Sequence, residues 1–288
     1  MVSSSFRAPA RLARRTARRA LQMLRYRRLT LKGVPILFAN SFPKSGTHLL
    51  TQVLQGFPSI GPAVDSGLPA VVTYIGETGR VRSTQEILAD LQRLLPGDIA
   101  YGHLHARPKV VEQLCHPGTA AYFISRDPRD VVVSHVHYVT EIEMSHIHHA
   151  YYTQVLRDFD ERLRTSILGL PSSEIPFPDI YRRFEPYLGW LDRLEVLCLR
   201  FEDFVQDRET ALGQVYDQAV RRGFPSTLER GRAIQVLADS INPQRSPTFR
   251  SGKIGGWRSQ FSPENKALFK EIAGDLLVRL GYEQDNRW

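Results

Sequence analysis

The sequence predicts an α/β fold: a single domain with a central parallel sheet flanked by helices and a P-loop-like phosphate-binding turn at its first strand–helix junction. Three observations predict it. Short apolar runs alternate with helical periodicities through residues 34–282, the pattern of parallel strands buried on both faces. The first run ends in Ser41-Phe42-Pro43-Lys44-Ser45-Gly46-Thr47, a turn rich in anion-holding groups. No internal repeat or linker interrupts 34–282, and 288 residues suffice for one such domain but are marginal for two.

The elements follow in order. Val34 to Asn40 is a short apolar run, read as a buried strand. Leu49, Leu50, Val53 and Leu54 mark the inner face of the next helix, closed by Gly56 and Pro58. Residues 59–82 are rich in Gly, Pro and small side chains and read as a long loop. Thr84 to Leu95 is helical, Asp98 to Tyr101 a strand ending at Gly102-His103-Leu104-His105, and Val110 to Leu114 a short helix. Ala120 to Ser125 is a further strand, and Asp127-Pro128 starts a helix. Residues 140–185 read as mostly helical with a Pro-rich break at 171–178. Leu194 to Leu199 is a strand, helices cover about 208–222 and 226–238, and 240–256 is a Gly/Ser/Pro loop. Ser262-Pro263 caps the last helix, with Leu268, Ile272, Leu276 and Leu280 on one side.

Apolar content of 42% and charged content of 24% fit a soluble globular chain, and no run of 18 apolar residues is present to span a bilayer. Cys115 and Cys198 are far apart and sit by apolar segments, so a reducing, cytoplasmic setting is expected. The net charge of +8 is localised. Ten of the 38 Lys and Arg residues fall in 1–32 with none of the 30 acids, so the rest carries −2 and a nucleic-acid partner is not expected. This N-terminal arm, 1–32, is separate from the domain proper, 33–288. Phe6, Ala10, Ala13, Ala17, Leu21 and Leu24 recur along the arm at helical spacing. Three readings stay open: a helix on an anionic membrane surface, an organelle-targeting peptide, and a solvated, partly disordered basic arm.

A strand that ends in Pro43-Lys44-Ser45-Gly46-Thr47 and opens a helix gathers backbone N–H groups and positive dipole at one point. Gly46 permits close approach, Lys44 adds a charge, and Ser45 and Thr47 add hydroxyls. A Walker A loop would place Gly before Lys-Ser/Thr; here Lys precedes Gly. Further on, Arg126-Asp127-Pro128-Arg129-Asp130 leads through Val131-Val132-Val133 to Ser134. Asp127 serves as N-cap, Asp130 completes a capping pattern, and Arg126 and Ser134 suit a second phosphate. The alternative for this cluster is a surface ion-pair group.

Both segments, in this order, resemble the 5'-phosphosulfate and 3'-phosphate motifs of sulfotransferases that use 3'-phosphoadenosine-5'-phosphosulfate (PAPS). The resemblance covers nearly all of 34–282. It implies nucleotide contacts from Lys44, Ser45, Gly46, Thr47 and His48, with Lys44 also catalytic, and 3'-phosphate contacts from Arg126 and Ser134. Thr248 to Trp257 resembles the family's C-terminal R-K-G-x-x-G-x-W segment, which assigns Arg250, Ser251 and Gly252 to the same phosphate. Ser240 and Phe201 fall at nucleotide-facing positions. Leu49 stands where the cytosolic branch has the Trp that stacks on adenine.

The acceptor proton needs a base of near-neutral pKa, for which His is the first candidate. His103-Leu104 matches the family's base position; His105 and the acidic Asp65 are rivals. His135, His137, His146, His148 and His149 match no metal spacing, and lining the acceptor cleft or a solvated helix face is favoured over zinc. No metal is called for, since Lys and Arg supply positive charge. The expected reaction is sulfuryl transfer from PAPS, leaving 3',5'-adenosine bisphosphate (PAP), to a small-molecule, lipid or sugar hydroxyl or an amine. A P-loop-type nucleotide kinase and a non-catalytic nucleotide-binding protein are the competing classes. The family's dimer motif falls on Arg258 to Ala267 and fails at most positions, so the oligomeric state is left open.

Overall fold

The structure is a computed structural model that describes residues 4–76, 78–170, 175–246 and 252–288. The chain opens with α1 (Ser4–Arg25), β1 (Ile36–Ser41), α2 (Thr47–Gln55), β2 (Val64–Asp65), β3 (Val71–Val72), β4 (Tyr74–Ile75) and β5 (Arg80–Val81). It continues through α3 (Thr84–Leu91), β6 (Asp98–His103), α4 (Pro108–Cys115), β7 (Thr119–Ser125), α5 (Pro128–His137), α6 (Phe159–Leu168) and α7 (Ile180–Leu188). It closes with β8 (Val196–Arg200), α8 (Phe201–Gln206), α9 (Arg208–Arg221), α10 (Arg230–Asp239), α11 (Pro263–Ala273) and α12 (Leu276–Arg279). Two compact units share these elements. One comprises Met1–Thr73, Arg82–Ser125 and Trp190–Ser246; the other comprises Tyr74–Val81, Arg126–Gly189 and Pro247–Trp288.

The first unit holds the parallel sheet, in the order β2-β6-β1-β7-β8, with β3 also on β6. Residues 37–41 of β1 and all of β7 are buried, which is why those runs lack polar alternation. Leu37, Ala39, Tyr122 and Ile124 share one core with Leu50, Val53 and Leu54 of α2, Leu212 and Val215 of α9, and Leu237 of α10. Each of these Leu, Ile and Val side chains contributes about 1.5–3 kcal/mol on burial. On the parallel register, Ser41 pairs with Ile124 and Asn40 with Gly102, so β1, β6 and β7 end at one edge of the sheet. That edge is where ligands of open α/β sheets bind.

The described part of the arm is helical and packs within the first unit. Helix α1 directs Arg15 and Arg19 onto Asp98, whose side chain is fully buried, with Arg19 at 2.9 Å. Arg18 meets Asp65 at 3.1 Å, and the Tyr26 hydroxyl donates to the Pro58 carbonyl at 2.8 Å. A buried carboxylate requires paired cations, and the arm supplies them. The expected loop at 59–82 likewise contains the four two-residue strands β2 to β5.

The second unit holds the antiparallel pair β4–β5, α5 to α7, α11 and α12. Where 140–185 reads as ordinary helix, the chain instead makes two π-helical turns, Tyr138–Ile142 and Tyr151–Val155, before α6 and α7. Leu170 bridges Phe177 across the expected break, of which 171–174 lie outside the described residues. Asp127 caps α5 by accepting from the Arg129 N–H at 2.9 Å. Asp130 does not complete that cap. It is buried and accepts from the main-chain N–H of Gly255 at 2.8 Å and of Trp257 at 2.9 Å. Nor are these charges a surface cluster: Arg129 is 2% exposed, pairs with Asp127 and Glu283, and lies 4.0 Å from the Trp257 ring and 4.5 Å from that of Trp288.

Candidate active site

In the turn after β1, Lys44 (φ 68°) and Gly46 (φ 98°) both occupy left-handed backbone. A lysine there is strained by about 1–2 kcal/mol, and left-handed residues in such a turn aim neighbouring N–H groups at a common point. Gly46 is the N-cap of α2, and no side chain among the described residues caps that helix. Its first-turn N–H groups therefore lack a side-chain acceptor. Ser45 is fully buried, and its Oγ has no hydrogen-bond partner among the described residues. An orphaned hydroxyl beside uncapped amides fits an anionic ligand. Gly46 is constrained twice, because a Cβ there would come within 2.8 Å of Phe201 Cδ2. Phe201 thus lies against the turn itself, while Leu49 packs on the core.

Thr47 and His103 are joined through Ser41. Thr47 Oγ1 lies 2.7 Å from Ser41 Oγ, and His103 Nδ1 lies 3.1 Å from Ser41 Oγ and 3.0 Å from the Ser41 carbonyl. A carbonyl can only accept, so Nδ1 carries the hydrogen and Nε2 keeps its lone pair. That is the tautomer a general base requires. Burial holds His103 below the ordinary 6.5, the Ser41 contact raises it, and nearby His48 lowers it again. His48 is itself lowered by burial and by the Lys44 charge.

The segment after β6 is clamped at Leu104. Asn40 donates to its carbonyl at 3.0 Å and accepts from its N–H at 2.8 Å. Trp190 Nε1 donates to the same carbonyl at 2.7 Å. The rivals of His103 are placed differently. His105 is buried, and burial with the Arg107 charge pushes it down to about 4. Asp65 is engaged by Arg18 and accepts from the Gly67 N–H at 2.9 Å. The Ser240 hydroxyl is turned toward main-chain oxygens of Gln52 and Leu237, at 2.9 and 2.6 Å, which ties α10 to α2 rather than presenting a free donor.

In the second unit, Arg126 Nη2 donates to the Lys253 carbonyl at 2.8 Å and lies 3.5 Å from Asp130. Together with the Asp130 contacts, this binds the second motif to the third. Gly252 takes φ 62° within that loop; Arg250 and Ser251 lie outside the described residues. Ser134 is half-buried on α5. Two histidines of this unit are packed rather than solvated. His135 stacks on Phe177 at 4.6 Å and meets Ser166 Oγ at 3.0 Å, and His148 is 7% exposed. Among the described residues, no group of three or more His, Cys, Asp or Glu side chains is placed to hold a metal ion.

Sequence reasoning missed the roles of Ser41, Asn40, Trp190 and Asp130. Asn40 and Ser41 carried a signal: polar residues closing a buried apolar strand must find partners. Asp130 and Trp190 carried none, since their partners lie about 125 and 86 residues away.

No family model matches the chain, and no curated protein matches it in sequence. Solved structures match in fold. Retinol dehydratase in a complex with retinol and PAP is 17% identical over 84% of this chain and 81% of that one, with a TM-score of 0.54. Retinol dehydratase with androsterone and inactive cofactor PAP is 17% identical over 88% and 82%, also at 0.54. Mouse sulfotransferase SULT7A1 complexed with PAP is 15% identical over 88% and 87%, at 0.56. The chain has the sulfotransferase fold, with its parallel sheet and flanking helices.

Proposed function

We propose that this protein transfers a sulfuryl group from PAPS to an acceptor hydroxyl or amine, with His103 as general base. The observation that carries the reading is the uncapped α2 start, where Lys44, Gly46 and the partnerless Ser45 hydroxyl sit one hydrogen-bonded link, Ser41, from a histidine whose Nε2 is free to accept a proton.

In this reading the turn amides and Lys44 hold the 5'-phosphosulfate, and Arg126, Ser134 and Arg250 hold the 3'-phosphate. The acceptor oxygen forms a bond to sulfur as the sulfur–oxygen bond to the 5'-phosphate breaks. Its proton passes to His103 Nε2, and negative charge collects on the leaving phosphate oxygen, where Lys44 stabilises it. Loss of a stabilising group of this kind typically costs ~10²–10³ in rate. The solved structures carry retinol or androsterone beside PAP, which supports a small-molecule acceptor.

The test is transfer of labelled sulfur from PAPS to a panel of phenols, sterols, sugars, amines and lipids, by the wild type and by His103→Ala. The proposal expects label on at least one acceptor class, lost in the variant. Turnover of ATP without turnover of PAPS would instead identify a nucleotide kinase. PAP binding with no transfer to any acceptor would identify a non-catalytic nucleotide-binding protein.

A further inference from the structure

Helix α1 is amphipathic in the inverted sense. Its charged face looks inward, where Arg15 and Arg19 neutralise the buried Asp98 and Arg18 meets Asp65. Its outward face carries Ala13, Ala17, Ala20, Leu21 and Leu24, all exposed, within about 100° of the helix circumference. Leu21 and Leu24 are 62% and 78% exposed, and Leu29, just past the helix, is 102% exposed. Large apolar side chains left in water along one helix face mark an interaction surface. Phe6 and Ala10, which continue the sequence stripe, lie outside the residues whose side chains are described.

The rim of this stripe is basic. Arg14 and Arg25 flank it, and Arg27, Arg28 and Lys32 follow. No ion pair among the described residues involves any of the five, and 1–32 contain no acid. No helix of the described residues is long and apolar enough to cross a membrane, so the segment suits a surface rather than a span. We infer that α1 and the turn after it form a peripheral membrane-binding face. Leu21, Leu24 and Leu29 enter the acyl boundary, and Arg14, Arg25, Arg27 and Arg28 meet anionic headgroups. A second copy of this chain would bring two acid-free basic segments together, against like-charge repulsion. A nucleic-acid backbone would use the arginines and leave the leucines in water. The arginines that dock α1 are different residues from those that face the lipid, so the helix is held to the protein while its other side is offered.

The experiment is flotation of the full chain with vesicles of phosphatidylcholine alone and of phosphatidylcholine and phosphatidylserine in equal parts. It is run for the wild type, for Leu21→Asp/Leu24→Asp and for Arg14→Glu/Arg25→Glu, with circular dichroism confirming the fold of each. The expected result is binding to the anionic vesicles only, weakened at high salt and reduced about tenfold or more in each double variant. Failure of the wild type to bind anionic vesicles overturns the inference, as does binding unchanged by the leucine substitutions. A wild-type dimer made monomeric by Leu21→Asp/Leu24→Asp, without vesicle binding, would assign the face to a second copy. The readout is independent of sulfuryl transfer, so its failure leaves the proposed function untouched.

Discussion

His103 Nδ1 lies 3.0 Å from the main-chain oxygen of Ser41, so the last residue of β1 fixes the tautomer of a histidine that ends β6. The same Ser41 touches Thr47, the first residue of α2, through its hydroxyl. One residue thus joins the turn after β1 to the candidate base, and Asn40, its neighbour, holds Leu104 just past the end of β6.

His103→Ala is expected to lower kcat for sulfuryl transfer ~10²–10⁴-fold while leaving PAP affinity, read by calorimetry, nearly unchanged. Because burial lowers His103 from 6.5, the acid limb of kcat/KM should fall below that value, with activity rising as pH rises through it. An unaltered acid limb in the variant would remove His103 from the chemistry.

His105 makes stability pH-dependent. Its folded value is about 4 against an ordinary 6.5, so the unfolded chain binds the proton more readily. The stability it favours is intact above 6.5 and is lost progressively as pH falls towards 4, on the order of 3 kcal/mol in all. Denaturant unfolding at several pH values should show this slope, flattened in His105→Gln.

Gly46→Ala forces a Cβ into left-handed backbone and to within 2.8 Å of Phe201. The expected cost is about 1–3 kcal/mol of stability with PAP binding lost. A Phe201→Ala background should recover part of the stability but little of the binding, since the backbone strain persists. Thermal unfolding and calorimetry separate the two.

Asp130→Ala leaves the Gly255 and Trp257 amides without their acceptor. The expected loss is about 3 kcal/mol, accompanied by a change in Trp257 fluorescence and a raised Kd for PAP. Asp130→Asn, which keeps one acceptor oxygen, should lose less.

The sheet was legible where the chemistry is local. Apolar runs at β1 and β7 read as strands buried on two faces, those at β6 and β8 as strands of the same sheet, and Gly46 with Lys44 marked a strand–helix turn. Elements fixed by distant partners were not legible. Val64–Asp65 and Val71–Val72 become strands only by pairing with β6, and the π-helical turns around 138–155 carry no local signature distinct from ordinary helix. The docking of α1 depends on Asp98, about 80 residues away, so charge counting saw only a basic tail. Within the candidate site, the turn after β1 was legible, and His103 was legible as a candidate. The roles of Ser41, Trp190 and Asp130 were not, because each is defined by a main-chain partner on another element.

The most direct test of the central claim is the preference of the wild-type protein for PAP over ADP, measured by calorimetry at one ionic strength. The 3'-phosphate is what separates a sulfuryl-donor nucleotide from an ordinary adenine nucleotide, and Arg126 is assigned to it. The account predicts PAP binding tighter by roughly tenfold to a hundredfold, with the preference erased in Arg126→Ala. Equal affinity for PAP and ADP, or a preference for ADP, would contradict it.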